Sequence, residues 1–327
     1  MTYLPQIRIL VPSAQVSSYT TGSFNLPSAK GAFLDLVNTA LFAGGQLANN
    51  SQVTTMQKFL ISTLGNSTNF GDTTTSALPN QGVASVTRAV FQIGNQKNGI
   101  EYTTFASLGN AIDFGDFPYN KTGSGAHSNS TRGIFMDGYN YSASQVTNDI
   151  SYIEIATIGN TTNFGDLTVN KYIGACIGSP TRAVHAGGSG HVTYSNVIEY
   201  VTIDTTGNAT DFGDLTVGRY SAGALGSSTR GLFAGGEFSG GGSNVIDYIT
   251  IASAGNATDF GDLLNEQQGS AGTSNSIRGV FCGGNTNVRL NVIQYVTIAT
   301  TGNSLDFGDL TNSVVNGGAT SGGHGGL

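Results

Sequence analysis

The chain has no tryptophan, two cysteines, three methionines and six prolines in 327 residues, and only 10% of its residues are charged. Each shortage excludes something. A charged share this far below the roughly 25% of ordinary domains rules out a coiled coil, a helical bundle or a polyelectrolyte tail. Cys176 and Cys282 lie far apart with no ligand-type spacing around them. They encode neither a disulfide framework nor a zinc knuckle, and both read as small buried hydrophobes. Thirteen Lys and Arg are scattered against 20 Asp and Glu, a net charge of -7. That leaves no basic footprint, so nucleic acid is not an expected partner. No apolar run approaches the roughly 20 residues of a membrane helix, so membrane insertion is not expected. The stretch Met1 to Gln15 has one Arg and a short apolar run. It lacks the basic start, longer apolar core and cleavage site of a signal peptide, so secretion is not expected. Asn-x-Ser/Thr triplets such as Asn208-Ala209-Thr210 accordingly read as turns.

What the chain has in plenty is glycine, 48 residues of it, and an internal repeat. The word Gly-Asn-x-x-Asx-Phe-Gly-Asp fills residues 65–72, 109–116, 159–166, 207–214, 255–262 and 302–309. A second word begins at Arg88, Arg132, Arg182, Arg230 and Arg278, with a degenerate copy at Thr39-Ala40-Leu41-Phe42. The step from Asp72, Asp116, Asp166, Asp214 or Asp262 to the next of these arginines is always 16 residues. Length changes fall between the Arg and the next Gly-Asn, where a loop on an open face can vary at little cost.

One unit reads as four strands: Arg219 to Leu225, Arg230 to Ala234, Asn244 to Ile251 and the short Asp259-Phe260 run. The third is apolar on both faces, so both must be covered, as in a sheet stacked between two like sheets. Four-stranded units of 40–50 residues stacked this way form a β-propeller. The segment Asn312 to Gly323 aligns with the inner-strand stretch beginning at Gly218, so a C-terminal strand is expected to complete the first blade and remove the exposed edges. The expected fold is all-β: an arm over 1–37, then a six-bladed propeller of four-stranded antiparallel blades over 38–327.

Diglycines end a strand at Gly44-Gly45, Gly187-Gly188, Gly235-Gly236 and Gly283-Gly284, and Tyr102, Tyr152, Tyr200, Tyr248 and Tyr295 sit in the next strand. This resembles the kelch motif. It departs from it where kelch units carry a late Trp, because Phe70, Phe114, Phe164, Phe212, Phe260 and Phe307 stand there, and where Ile93-Gly94 and Asp137-Gly138 replace diglycines. The wording from Asn196 to Gly236 is also similar to repeats in proteins of marine tailed phages, including cyanophages. The resemblance covers Asn38 to Gly323. It implies a virion structural protein, made in the host cytoplasm and present in many copies on a symmetric particle.

The repeated residues invite two readings each. Asp72, Asp116, Asp166, Asp214, Asp262 and Asp309 form either a cation-binding ring or, as the plainer reading, acceptors for backbone N–H groups in the turn that follows, with each Phe wedged between blades. The five arginines either line an anion site or bond carbonyls and carboxylates to fix neighbouring blades. His127, His185, His191 and His324 have no metal-pair spacing, and His185 reads as a core replacement for the strand Phe. No metal or cofactor is expected.

No nucleophile elbow, phosphate loop or Trp-containing sialidase box occurs, so no enzyme is expected; the sequence leaves a carboxylate pair assembled from different blades open. In an antiparallel blade the links from second to third strand share one face with the links between blades. Binding candidates on that face are Gln96, Lys97, Tyr139, Tyr141, His191, Tyr194, Glu237, Phe238 and Arg289. Exposed aromatics on rigid loops suit sugars or another protein. The apolar start of the arm, Ile7 to Pro12, suits docking onto other virion proteins. Two roles follow from the resemblance: tail-associated adhesion to a host-surface glycan or protein, or capsid decoration or neck and tail assembly.

Overall fold

The computed structural model describes residues 35–76, 78, 81–94, 96–190 and 194–327. The protein is a six-bladed β-propeller, each blade a sheet built on four antiparallel strands. The second strands of blades 1 to 6 are Thr39–Ala43, Arg88–Gln92, Arg132–Asn140, Arg182–Ala186, Arg230–Ala234 and Arg278–Cys282. In blade 4 the four strands are Ala175–Gly178, Arg182–Ala186, Val197–Thr202 and Thr210–Asp214, from axis to rim. The innermost strands, Gly318–Ser321, Gly82–Ala84, Gly125–Ser128, Ala175–Gly178, Gly223–Gly226 and Ala271–Ser274, each touch the next around a closed ring. Gly318–Ser321 pairs with Thr39–Ala43, so a late strand completes blade 1 as the repeat register requires.

The compact unit starts at Asp35, three residues before the expected boundary, with a helical turn over 35–38 in which Thr39 Oγ1 donates to the Asp35 carbonyl. The arm expected over 1–37 otherwise lies outside the described residues. Two strand expectations are corrected. The inner strand of blade 5 starts at Gly223, because Arg219 is buried in the link before it. The outermost strand of that blade runs Thr258–Gln267, well beyond the short run at Asp259-Phe260.

The second strands are buried almost throughout, and alternate side chains fill the cores on either side. Val280 and Cys282 pack with Phe307 of their own blade and Phe42 of blade 1, while Leu225, Phe260 and Phe281 fill the next space round. The repeat phenylalanines stand between sheets: Phe70 packs with Phe91 and Phe105 of blade 2, and Phe164 with Val201 and Ile203 of blade 4.

The eight-residue word clasps two blades. The N–H of its first glycine (Gly65, Gly109, Gly159, Gly207, Gly255, Gly302) donates to the Phe carbonyl of the previous blade at 2.7–3.0 Å. Two residues on, Ser67, Ala111, Thr161, Ala209, Ala257 and Ser304 donate to the Asp carbonyl at 2.7–3.0 Å. The Asn side chain of the word accepts the Asp backbone N–H at 3.0–3.1 Å in every blade. The closing pair, Asp309 with Asn66, follows the same pattern as the rest. The Gly of Phe-Gly-Asp is dictated by this approach: a Cβ on Gly71, Gly115, Gly165, Gly213, Gly261 or Gly308 would lie 2.2–2.5 Å from the backbone of the facing glycine.

The repeated arginines add a second ring. Nη1 of Arg88, Arg132, Arg182, Arg230 and Arg278 donates to the carbonyl of Ile155, Ile203, Ile251, Ile298 and Ile61 of the following blade at 2.7–3.0 Å. Each guanidinium also lies 4.3–4.6 Å over Tyr102, Tyr152, Tyr200, Tyr248 or Tyr295 of its own blade. Blade 1 has Thr39 and Lys58 at these two places, so both partners of the stack are absent together.

Around the channel mouth a third set of contacts runs head to tail. Ile173 N donates to Gly123 O, Ser221 N to Ile173 O, Gly269 N to Ser221 O and Asn316 N to Gly269 O, at 2.6–2.9 Å. All five residues have φ of 55–72°. Glycine takes this at no cost and asparagine at little, whereas β-branched Ile173 is strained there. By the register the sixth position is Pro79, which has no N–H to donate and lies outside the described residues.

Gly165→Ala should destabilise the protein by about 1–3 kcal/mol in urea unfolding, because the facing backbone has no room to move. Gly99→Ala, whose Cβ meets nothing nearer than 3.9 Å, should stay within about 0.5 kcal/mol of the parent.

Candidate functional site

The clasps occupy the outermost strands and the face carrying the turns between first and second strands. The opposite face carries the variable loops and the blade-to-blade links, and a buried polar belt supports it from beneath. Thr74, Thr168, Thr216, Leu264 and Thr311, each two residues after a repeat Asp, donate backbone N–H groups to Glu101, Glu199, Asp247, Gln294 and Gln57 of the next blade at 2.7–3.1 Å. In the remaining link that place is Pro118, with no N–H to give, and the corresponding acceptor position is Ser151.

Five residues after the Asp stand the belt's cations. Lys171 pairs with Glu199 and Arg219 with Asp247, all four side chains buried, and Lys121 Nζ lies 2.8 Å from Asp149 Oδ2. Burial would raise the Asp149 and Glu199 carboxyls, but Lys121 and Lys171 outweigh it and hold both below their usual values. Asp137 takes the place of a diglycine's first residue with the same left-handed backbone, φ 60°. Its buried carboxylate accepts Gly125 N at 2.9 Å and Gly174 N at 2.8 Å and faces His185 Nε2 at 2.9 Å. His185, standing at the strand Phe position, is therefore tied into the core by an acid from the preceding blade.

Above the belt, tyrosines from blades 3 to 5 form two groups. Tyr139 meets Tyr141 edge-on at 5.1 Å and Tyr172 at 6.1 Å. Tyr194 stacks on Tyr220 at 5.3 Å and 9°. Tyr220 Oη donates to Glu237 Oε2 at 2.9 Å. Burial first, then Glu237 and the neighbouring Tyr194 and Tyr172, push the Tyr220 hydroxyl well above its usual value, so it stays a donor. Tyr194 is the most open of the five at 37% exposure.

The other candidates are dispersed round the same face. Gln96 and Lys97 line a cleft of about 330 Å³ with Thr74, Asn98, Asp113 and Asn120. Phe238 lies against Gly240, beside a second cleft of about 240 Å³ between blades 5 and 6. Arg289 is turned away, donating to Gln46 Oε1 of blade 1 at 3.0 Å. His191 lies outside the described residues. Sequence reasoning missed Tyr172 and Tyr220, which stand in links between blades; the topology that placed the loops on this face places those links there too.

The expectation for the repeat aspartates is corrected. Their backbone N–H groups, not their carboxylates, make the repeated bond, and the bond runs to the next blade instead of the following turn. Among the described residues, Asp72 is the one repeat aspartate whose carboxylate accepts a side-chain hydrogen bond, from Thr54 Oγ1 at 2.9 Å. The carboxylates stand on six separate outermost strands, partly or fully exposed, so they do not encircle a point. Among the described residues no group of three His, Cys, Asp or Glu is placed to hold a metal ion. Cys176 and Cys282 are free and buried, and burial pushes both thiols up.

The central channel is nearly filled, leaving an axial cavity of about 40 Å³. Residues 322–327 cross it, with backbone against Leu36, Val86, Ser128, Gly178 and Ser227 of blades 1 to 5. His324 anchors this segment: Nε2 donates to the Ala84 carbonyl at 3.1 Å and Nδ1 accepts Gly326 N at 3.1 Å, which requires the neutral ring. Burial lowers His324 to about 4. Burial, with His324 beside it, lowers His127 to about 3.

Against known proteins, the chain matches no family model, and no curated protein sequence matches it. Its class is set by the fold alone, a β-propeller, and its function is read from this face.

Both histidines bind protons less readily folded than unfolded, so stability should be full above about pH 6.5 and fall as pH drops from there towards 4. Melting temperatures between pH 8 and 5 should show this fall, and His324→Gln should flatten it. Parallel curves for parent and variant would contradict the assignment.

Proposed function

We propose that the chain is a non-catalytic recognition module of a phage particle, held to other virion proteins through residues 1–37 and reading a host-surface glycan or protein with its loop-rich face. The observation that carries this is the pair of tyrosine groups, Tyr141, Tyr139 and Tyr172 with Tyr194 and Tyr220, on one face across three blades. Aromatic rings held rigidly on a polar rim give large contact area at small entropy cost, the pattern of binding surfaces. The clasps and arginine stacks lie on the rim and the opposite face, and the head-to-tail contacts at Ile173 and Ser221 on this face are made by backbone atoms. The buried acids and bases beneath are spent on one another, which favours binding over catalysis. The virion setting rests on the likeness of Asn196 to Gly236 to marine phage repeats.

The test is adsorption of the labelled full chain to cells of candidate hosts. Tyr194→Ala should cut adsorption by about 10- to 30-fold, the cost of losing a hot-spot aromatic, without lowering the melting temperature. Unchanged adsorption would remove the tyrosines from the reading. Antibody label confined to the shell or neck of particles would make the chain a decoration or assembly protein instead.

A further inference from the structure

The cleft between blades 5 and 6 is built from parts the ring does not use. Its walls are the hairpin tip Gly240 to Gly242 of blade 5 and the loop Asn285 to Asn287 of blade 6, and its floor is the link bearing Glu266 and Gln268. The floor is fixed to the blade 6 wall through the backbone: Gln268 N donates to Asn285 O at 3.1 Å and Asn285 N to Gln268 O at 2.9 Å. Phe238 packs over Gly240, where a Cβ would lie 2.6 Å from the ring, and so holds the hairpin tip in shape. The side chains of Glu266, Gln268, Asn285, Thr286 and Asn287 line the space, and none is committed to a hydrogen bond with another described residue. Asn287 is held at φ 125°, a conformation otherwise left to glycine, at the lip of the cleft.

We propose that this cleft binds one neutral sugar residue. Three carboxamides, a hydroxyl and a carboxylate offer donors and acceptors in both senses, which is what a ring of hydroxyls pairs with. The three glycines of the hairpin tip keep that wall free of side chains. No basic side chain lines the cleft, and Arg289 points its guanidinium at Gln46, so phosphate, sulfate and uronate ligands meet Glu266 with no cation to offset it. At about 240 Å³ the cleft is small beside ordinary ligand pockets, which suits a single pyranose. The proposal rests on the reading of this face as ligand-facing and names the class of ligand.

The experiment is saturation-transfer NMR and titration calorimetry on the full chain. The probes are the methyl glycosides of glucose, galactose, mannose and N-acetylglucosamine, with glucuronate as the anionic counterpart. At least one neutral glycoside should bind and glucuronate should not. Asn285→Ala and Gln268→Ala should each weaken that binding at least tenfold with the melting temperature unchanged, while Tyr194→Ala leaves it intact. Failure of all four glycosides to bind at millimolar concentration overturns the proposal. So does tighter binding of glucuronate, or binding that survives both cleft variants. Cell adsorption separates the two readings: a chain that adsorbs but binds no glycoside loses the cleft alone. A chain whose glycoside binding depends on Asn285 but which adsorbs to no cell keeps the cleft and loses adhesion.

Discussion

Glycine faces glycine at every blade boundary, and the approach is so close that a single added methyl group on the Phe-Gly-Asp side meets backbone. Two backbone hydrogen bonds and one from the Asp N–H to the Asn side-chain oxygen form at each boundary because of that approach. At about 0.5–1.5 kcal/mol net apiece, three such bonds contribute on the scale of a buried phenylalanine. The same eight residues carry both halves of the contact, facing the blade before at one end and the blade after at the other. Blade shape, closure and the tolerance for variable loops all follow from keeping this word intact.

The contact also divides the molecule's surfaces. Clasps, arginine stacks and the segment 322–327 use the rim and one face, leaving the opposite face to vary. Beneath the varying face the belt of buried acids, amides and bases changes from blade to blade in matched pairs. Lys171 with Glu199, Arg219 with Asp247 and Gln267 with Gln294 are solutions to one position, ionic or neutral as a unit. Breaking one member of an ionic pair would strand a buried charge, at a cost of about 3–5 kcal/mol. The tyrosines and polar clefts above therefore rest on a rigid floor, and their chemistry can differ between sectors without disturbing the ring.

The repeat made the fold legible. Six words with a constant step of 16 residues from Asp to Arg fix blade number, strand order and the closing strand, because length is constrained only where strands crowd the axis. Atoms were less legible than residues. Repetition of Asp pointed to its carboxylate, whereas the bond is made by its N–H, and repetition does not say which atom of a residue is required. Arg219 read as a strand opener because its role depends on Asp247, 28 residues further on in another strand. Asp137 and His185 looked like unrelated departures from two repeats and prove to be one compensated pair. On the candidate face, loops of unusual length drew attention to Tyr139, Tyr194 and Phe238. Tyr172, Tyr220, Glu266 and Gln268 sit in links of ordinary length, where nothing in the local sequence marks them out.

Residue-resolved amide hydrogen exchange on the intact chain tests the central claim, that the six clasps make the ring one cooperative unit. The amides of Gly65, Gly109, Gly159, Gly207, Gly255 and Gly302 lie in turns at the exposed rim. They should nonetheless exchange only through opening of the whole ring, at one common free energy equal to that of global unfolding. Exchange of these amides as fast as the rim loops, or at six different free energies blade by blade, would contradict it.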